Sequence, residues 1–512
     1  MKLSLLLCSV LLALTLFAVA SLPSAHAGSA TWNLDPVDND WNNPANWTPQ
    51  TVPNGPTDRA RFSESSKTDL VFSAVATEVA EIVFTPGASS FTITASPAAA
   101  QSDVTLSVSG AGITNNSGVT QTLTAGPPVI FDVGMINFRN SATGGEGTTL
   151  NALASDDEGS FPSSQINFYD TSSAGNASIY AEGARGNLES YGAEVNFYNN
   201  ATAGNASCIV TGAIGTGSYE GEINFFDDSS AGNASFTVYG ATGCCFGGSV
   251  TFYDNSRGGT PRFTILDGGG MGISGASAGV TVASIAGTGG IGFGTGNLSI
   301  GANNLSSTFG GSITGGESGS LIKIGSGTLT LEGASYYLGD TVVTEGTLVA
   351  SNLTDSATGT GVVKVEGGTL GGSGVIAGAV TVGTGSGTGA FLAPALEPKK
   401  QSTLRIQSAL TFNADATYIY TFRARGEQAR SDKVIANGAT INAGAFFAFQ
   451  GTAQGTLPIG LSFTAIKNTS ASPIGGTFSN LPDGAIMTVN GNKFQANYEG
   501  GDGNDLTLTV IP

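Results

Sequence analysis

Tyr169, Tyr198, Phe226 and Tyr253 fall at one position of a phrase that the chain restates. Rings in a row give broad apolar contact and Tyr adds a hydroxyl, so an exposed stripe of this kind can stack on sugar rings. The same rings can instead stack on one another or pack beneath long loops, which is reinforcement rather than recognition. Beside them lie carboxylates of the kind acid–base chemistry needs: Asp227 and Asp228, with Asp170 and Asp254 at equivalent or neighbouring turn positions. A glycosidase requires two such groups facing each other across a groove. An Asp that recurs in a Ser/Thr/Gly turn, however, is ordinarily an Asx-turn residue. A lyase would also want basic residues near the acids, and this region has few.

Histidine chemistry is closed to the mature chain. Lys2 precedes the apolar run LSLLLCSVLLALTLFAVA, and Ala25-His26-Ala27 is a small-x-small cleavage pattern, so residues 1–27 read as a signal peptide. Cleavage after Ala27 removes His26, the only histidine, and with it any Ser-His-Asp triad or histidine-ligated metal. Cys8 leaves too, and the remaining Cys208, Cys244 and Cys245 cannot complete a disulfide framework. Cys208 takes the repeat position of Ile179 and Phe236, where a thiol serves as a small apolar side chain. A bridge from it to the loop TGCCFGG is left open by the spacing. Gly500–Asp505 (GGDGND) resembles the start of a calcium-binding nonapeptide, but such sites need tandem copies that supply oxygens from adjacent turns. As a single copy it reads as a tight turn into LTLTV. No cofactor and no metal are expected.

Charge narrows the partners. Without Lys2, 18 Lys and Arg face 38 Asp and Glu, which argues against nucleic acid and anionic membrane. The strongest basic cluster, Arg423, Arg425, Arg430 and Lys433 with Glu427 and Asp432, lies between YIYTF and KVIA. It reads as a hairpin whose charges resist edge pairing. After the signal no stretch is long and apolar enough to span a bilayer as a helix, so an integral helical membrane protein is not expected. Trp32, Trp41 and Trp47 gather near the mature N-terminus, either as a sugar platform or as a bulky cover for open strand edges; the cover is the reading adopted.

The elements that position these residues are strands. Charged residues are 11% of the chain against the ~25% usual in soluble domains, and hydrophobic residues are 40%. Short apolar runs alternate with Gly, Asn and Asp, and no convincing helical period appears. NFRNSATGG, NFYDTSSAGNAS, NFYNNATAGNAS, NFFDDSSAGNAS and TFYDNSRGG open at 137, 167, 196, 224 and 251, a shrinking period near 28 that marks a solenoid. Alternation points Ile166 and Phe168, Val195 and Phe197, Ile223 and Phe225, and Val250 and Phe252 inward. Asn167, Asn196 and Asn224 then form an outward ladder beside the aromatic stripe. No single copy can bury its own apolar face, so each needs its neighbours. The Gly-Asn pairs at 175–176, 204–205 and 232–233 suit tight turns.

Residues 301–351 resemble the autotransporter-associated β-strand repeat of bacterial secreted and surface proteins. The resemblance rests on Lys323, Gly325-Ser326-Gly327-Thr328-Leu329-Thr330-Leu331, Gly333, Gly339, Thr341, Val343 and Gly346-Thr347-Leu348. Ser335-Tyr336-Tyr337-Leu338 departs from the more usual Asn-Thr-Tyr-Thr. GGTLGGSGVIAGAVTVG (367–383), the AGNAS block, the opening ATWNLDPVDNDWNNPANWTP and the closing GGTFSNLPDG with NYEGGDGNDLTLTV resemble segments that accompany this repeat. The resemblance implies a passenger-type parallel β-helix, export and a surface role, and it carries no catalytic residues. No translocator barrel is evident in residues 391–512.

The expected fold is therefore all-β: a right-handed parallel β-helix with a C-terminal β-rich cap. The expected division is a signal peptide (1–27), a Trp-rich opening cap (28–62), a β-helix (63–390) and a C-terminal domain (391–512). Within the helix the tandem copies occupy about 136–266, and the family repeat about 321–351. The expected role is a secreted or cell-surface structural or adhesive passenger without catalysis. Its partners would be extracellular polysaccharide or cell-surface components. The alternatives are a carbohydrate-binding surface protein that uses Tyr169, Tyr198, Phe226 and Tyr253, and a polysaccharide-degrading β-helix enzyme.

Overall fold

The computed structural model describes residues 28–97, 102–127, 132–154, 163–186, 190–242, 246–316, 318–387, 389–396, 400–425 and 428–512. The expected signal peptide, Cys244, Cys245 and Glu427 lie outside these residues. Among the described residues regular structure is strand, apart from one short 3-10 turn at Pro44–Asn46.

The repeat produces the architecture directly. Gln165–Phe168 pairs in parallel with Gly134–Phe138 on one side and Glu194–Phe197 on the other, followed by Glu222–Phe225 and Ser249–Asp254. Every copy stands in register with the next. Ile136, Ile166, Val195, Ile223 and Val250 form one inward column, and Phe138, Phe168, Phe197, Phe225 and Phe252 another, all fully buried. The Phe rings stack with centroids 4.7–4.8 Å apart and planes within 5–11°. That separation is the spacing of hydrogen-bonded strands. The sheet sets the distance, and the ring fills it.

A second sheet receives the other strand of each copy, in the order Asn176–Ala181, Ser207–Val210, Ser235–Val238 and Arg262–Ile265. Between the two, single bridges through Thr143, Ser173, Thr202, Ser230 and Arg257 trace a third side. From Val280–Val282 this side becomes an eight-stranded parallel sheet that runs to Ala439–Ile441. Three-sided coils in register around one apolar axis are a parallel β-helix. Cys208 packs in this axis as a free buried thiol, paired across to Ile179 and Phe236, and burial pushes its pKa far up.

The corners explain the turn composition. Asn140, Asp170, Asn199, Asp227 and Asp254 occupy one corner with φ of 54–59°. Asn and Asp are the non-glycine residues that best tolerate this left-handed region. At the next corner only glycine takes positive φ (Gly175, Gly204, Gly232), while the Asn of each Gly-Asn pair lies outside that region. Those asparagines form an exposed amide chain instead, with Asn205 Nδ2 donating to Asn176 Oδ1 (3.0 Å) and Asn233 Nδ2 to Asn205 Oδ1 (3.2 Å).

The coils extend beyond the range expected from sequence at both ends. Ala30–Trp32 already pairs in parallel with Gly55–Phe62, which pairs with Ala76–Phe84. Trp32, Trp41 and Trp47 are therefore core residues, at most 1% exposed, packed edge to face at 5.0–5.1 Å and against Phe62. Each indole N–H donates to a backbone carbonyl, of Lys67, Pro53 and Trp41 respectively. No indole face is left for a sugar. At the other end parallel pairing continues past 390 through Thr403–Ile406, Ala416–Arg425, Lys433–Ala436 and Phe446–Gln454. Apart from the hairpin that Ala416–Arg425 makes with Gln428–Ser431, it gives way to antiparallel pairing where Ser462–Asn468 meets Asp505–Ile511, with Asn492–Gly500 and Ile486–Val489 beyond. Length and glycine content change near 390 in the sequence, but the apolar alternation does not, and it is the alternation that continues the coil.

Candidate functional site

The outward face of the first sheet carries three columns of side chains, one at every second residue of each strand. The first runs Gln165, Glu194, Glu222, Ser249. The second runs Asn137, Asn167, Asn196, Asn224, Thr251. The third, one step beyond the paired residues, holds Arg139, Tyr169, Tyr198, Phe226 and Tyr253.

The structure brings the four sequence-predicted aromatic residues together as one continuous stack. Centroid distances are 5.1, 5.0 and 4.9 Å with planes within 6–9°. The Arg139 guanidinium covers the free face of Tyr169, 4.9 Å from its centroid. At the other end Gly275 lies so near Tyr253 that a Cβ there would come within 2.7 Å of the ring. The inner faces of the column are thus spent on one another and its Tyr169 end on Arg139, and the rings remain half-exposed. Burial raises the pKa of Tyr169, Tyr198 and Tyr253, Tyr198 to about 12, so all three phenols stay protonated at neutral pH.

The asparagine ladder faces outward, yet it is buried between its taller neighbours, at 2–6% exposure. Asn167 Nδ2 donates to Asn137 Oδ1 (3.1 Å), Asn196 to Asn167 (3.1 Å) and Asn224 to Asn196 (3.2 Å). Asn167, Asn196 and Asn224 also donate to the side chain two residues before them, Gln165 (3.4 Å), Glu194 (3.2 Å) and Glu222 (3.0 Å). The ladder stops where Thr251 replaces asparagine, and the buried Asn224 Oδ1 receives no hydrogen bond. Buried polar groups are ordinarily paired, so this one is an exception.

The candidate acids act in the turns. Asp170 Oδ2 accepts the Asn140 N–H (2.8 Å), Asp227 Oδ2 the Asn199 N–H (2.8 Å) and Asp254 Oδ2 the Asp227 N–H (3.3 Å). They tie one coil's corner to the next, and Asp228 is exposed beside them. Of the basic cluster, Arg423 and Arg430 face each other across the hairpin expected there, and both are exposed. Asp432 turns inward instead, accepting from Ser402 N, Thr421 N and Thr421 Oγ1 (2.8–3.0 Å). The GGDGND segment is the turn between two antiparallel strands, where Asp505 Oδ1 accepts the Asn468 N–H (2.9 Å).

Lys323 carries a role that no motif in the sequence marks. Its side chain is 1% exposed, and Nζ donates to the carbonyls of Ile324 (2.7 Å), Gly325 (2.6 Å) and Glu345 (3.1 Å). Three donors meet three acceptors. Desolvation lowers its pKa, with Glu345 opposing. Gly346, at φ 69°, makes the space: a Cβ there would stand 2.7 Å from Nζ. At the opposite end of the paired strand Tyr337 is buried against Phe293, its hydroxyl 2.5 Å from Thr341 Oγ1. Lys323, Gly325 and Gly346 thus form one corner linking two coils, with Thr341 at the other end of the paired strand. Residues 321–350, which contain that corner, match the passenger-associated-transport-repeat family.

The chain carries an autotransporter-type passenger repeat.

The repeat's description names a passenger and its transport, and no reaction. No curated protein matches the chain. Among solved structures it is similar to the Haemophilus influenzae Hap adhesin, at 11% identity and a TM-score of 0.28, over 89% of this chain and 64% of that one. The chain therefore spans less than two thirds of that structure. No helix among the described residues is long and apolar enough to cross a membrane.

Proposed function

We propose that this protein is a secreted or cell-surface passenger-type β-helix, an adhesive or structural rod of a bacterial exterior. The observation that carries the reading is the passenger repeat at 321–350, seated in an uninterrupted parallel stack that begins at Ala30. In this reading the Trp-rich segment closes one end of the rod and the antiparallel strands after Ser462 close the other. The stacked aromatic column stiffens the middle, since its faces are spent on one another. The carboxylates of the turns are structural in the same way. A rod with its polar groups paired along each side suits contact with extracellular polysaccharide or cell-surface components.

Cell fractionation with protease shaving tests the proposal. Intact cells should lose the protein to added protease, or the medium should contain it, and purified residues 28–512 should coat and retain cells or polysaccharide. A chain that stays protected in the cytoplasm would overturn it.

A further inference from the structure

A stack of parallel coils ends in a strand with one free edge, and such an edge is a template for another strand. Phe446–Gln454 is the last strand of the second sheet. It pairs with Ala416–Arg425, from Thr417 opposite Phe446 to Arg425 opposite Gln454, and only that strand stands in register with it. Its sequence FFAFQGTAQ holds no charge and no proline, the features that commonly blunt an edge. Phe446, at its start, is 49% exposed.

The free edge is occupied, but not by a strand. Alternate residues of a strand turn their N–H and C=O to the same side, and on this side the partners are asparagine amides. Asn480 Oδ1 accepts the Phe447 N–H and its Nδ2 donates to the Phe447 carbonyl, both at 2.8 Å. Asn490 Oδ1 accepts the Ala453 N–H (3.0 Å). Asn492 Oδ1 accepts the Leu457 N–H (2.7 Å), and its Nδ2 donates to the Gly455 carbonyl (3.0 Å). The neighbouring side of the coil ends differently, on backbone: Gly475 N–H donates to the Ala439 carbonyl (2.9 Å) and Ile441 N–H to the Gly475 carbonyl (2.7 Å).

A carboxamide carries a donor and an acceptor as a peptide group does, so it can stand in for a partner strand. It differs in one respect: no chain runs on from it to present a further edge. The apolar end of the coil is closed by other residues, Phe478, Leu481 and Phe494, each at most 1% exposed. Sealing the core therefore accounts for those three and not for the amides. Asn490 and Gly491 form the hairpin turn, with φ of 47° and 79°, and Val489 stands opposite Asn492 across it. The hairpin strand Ile486–Val489 holds no fully buried residue, so the amides are what fasten it over the edge.

We propose that Asn480, Asn490 and Asn492 are stop residues that hold the edge of Phe446–Gln454 closed against a second copy of this chain. An uncharged edge is complementary to itself in the antiparallel sense, and strand addition draws its affinity from main-chain hydrogen bonds. Two copies related by a two-fold would bury both edges and leave none for a third. The inference goes beyond the surface reading, since it concerns how the rod ends rather than where it works.

The test follows residues 28–512 by sedimentation velocity over a range of concentrations, with hydrogen exchange read across residues 444–457. Asn480→Leu/Asn490→Gly removes two amides while keeping side-chain volume at the first site and the turn at the second. Wild type should stay monomeric. The double variant should dimerise as concentration rises. At low concentration its residues 444–457 should exchange about tenfold faster than in wild type, and dimerisation should restore their protection. Asn480→Leu alone, which leaves the turn untouched, carries the same expectation where the double variant fails to fold. Asn480→Asp keeps the acceptor and loses the donor. It should loosen the segment yet stay monomeric, because two carboxylates would meet across the two-fold. A Leu variant that stays monomeric at every concentration, association that continues past the dimer, or dimerisation of Asn480→Asp would each overturn the assignment.

Discussion

Lys323 shows how one side chain links two coils. An ammonium with its three donors matched to three carbonyls is satisfied, but those carbonyls depend on it in turn. Replacing it with Met preserves length and apolar stem while leaving the acceptors buried and unpaired, at a cost of roughly 1–3 kcal/mol each for groups that water cannot reach. Lys323→Met should therefore lower the thermal midpoint, and hydrogen exchange should show the loosening concentrated between Ile300 and Thr347. An unchanged midpoint would mean that water replaces the ammonium. The same residue scale explains the turn aspartates, whose types alone would suit acid–base chemistry. Their position at a left-handed corner, rather than any depth in a groove, decides what they do.

At the scale of the element, the aromatic column is a stack whose members differ in how many partners they have. Tyr198 has rings on both faces, at 5.1 and 5.0 Å, whereas Tyr253 has one at 4.9 Å. Each aromatic pair contributes about 0.5–1.5 kcal/mol beyond burial. Tyr198→Ala should thus destabilise by about 0.5–1.5 kcal/mol more than Tyr253→Ala does, one further aromatic pair, as read by chemical denaturation of both variants in parallel. Equal losses would mean that the edges, not the faces, hold the rings. The column's position was legible in the sequence from the phrase repeat, because period and alternation together fix both register and side. Its stacking was not, since whether rings meet each other or solvent depends on the ~4.8 Å rise of the coil and on what stands at each end, here Arg139 over Tyr169.

For the whole molecule, the net charge of −19 and the buried carboxylates act in one direction as pH falls. Desolvation raises the pKa values of Glu220, Glu222, Asp432 and Asp505. A raised folded-state value means that stability is greatest below the unfolded pKa and is lost as pH rises through the folded one. Asp38, bonded by Asn46, and Asp415, bonded by the amides of Gly385, Thr384 and Gly387, are held low, so their contribution is lost only as pH falls below the ordinary carboxylate range. The thermal midpoint should therefore be higher near pH 5 than at pH 8 and should drop again below about pH 4, the ordinary carboxylate value. Added salt should narrow the difference by screening the surface charge. A midpoint that rises steadily from pH 5 to pH 8 would contradict this account.

The sequence by itself determined the coil: the period near 28, the Ile and Phe that fall inward, and the Asn, Asp and Gly that turn its corners. These follow from local rules, in which strand alternation assigns sides and left-handed φ selects residue types. It also held Asn480, Asn490 and Asn492, but nothing local assigns an asparagine to the edge of a distant strand. Only the tertiary structure decided that their amides meet the last strand of the second sheet, that the tryptophans lie in the core rather than on a surface, and that coils continue past residue 390. Those outcomes depend on which rows become neighbours across tens of residues of chain, and adjacency of that kind is a property of the stack, not of any segment within it.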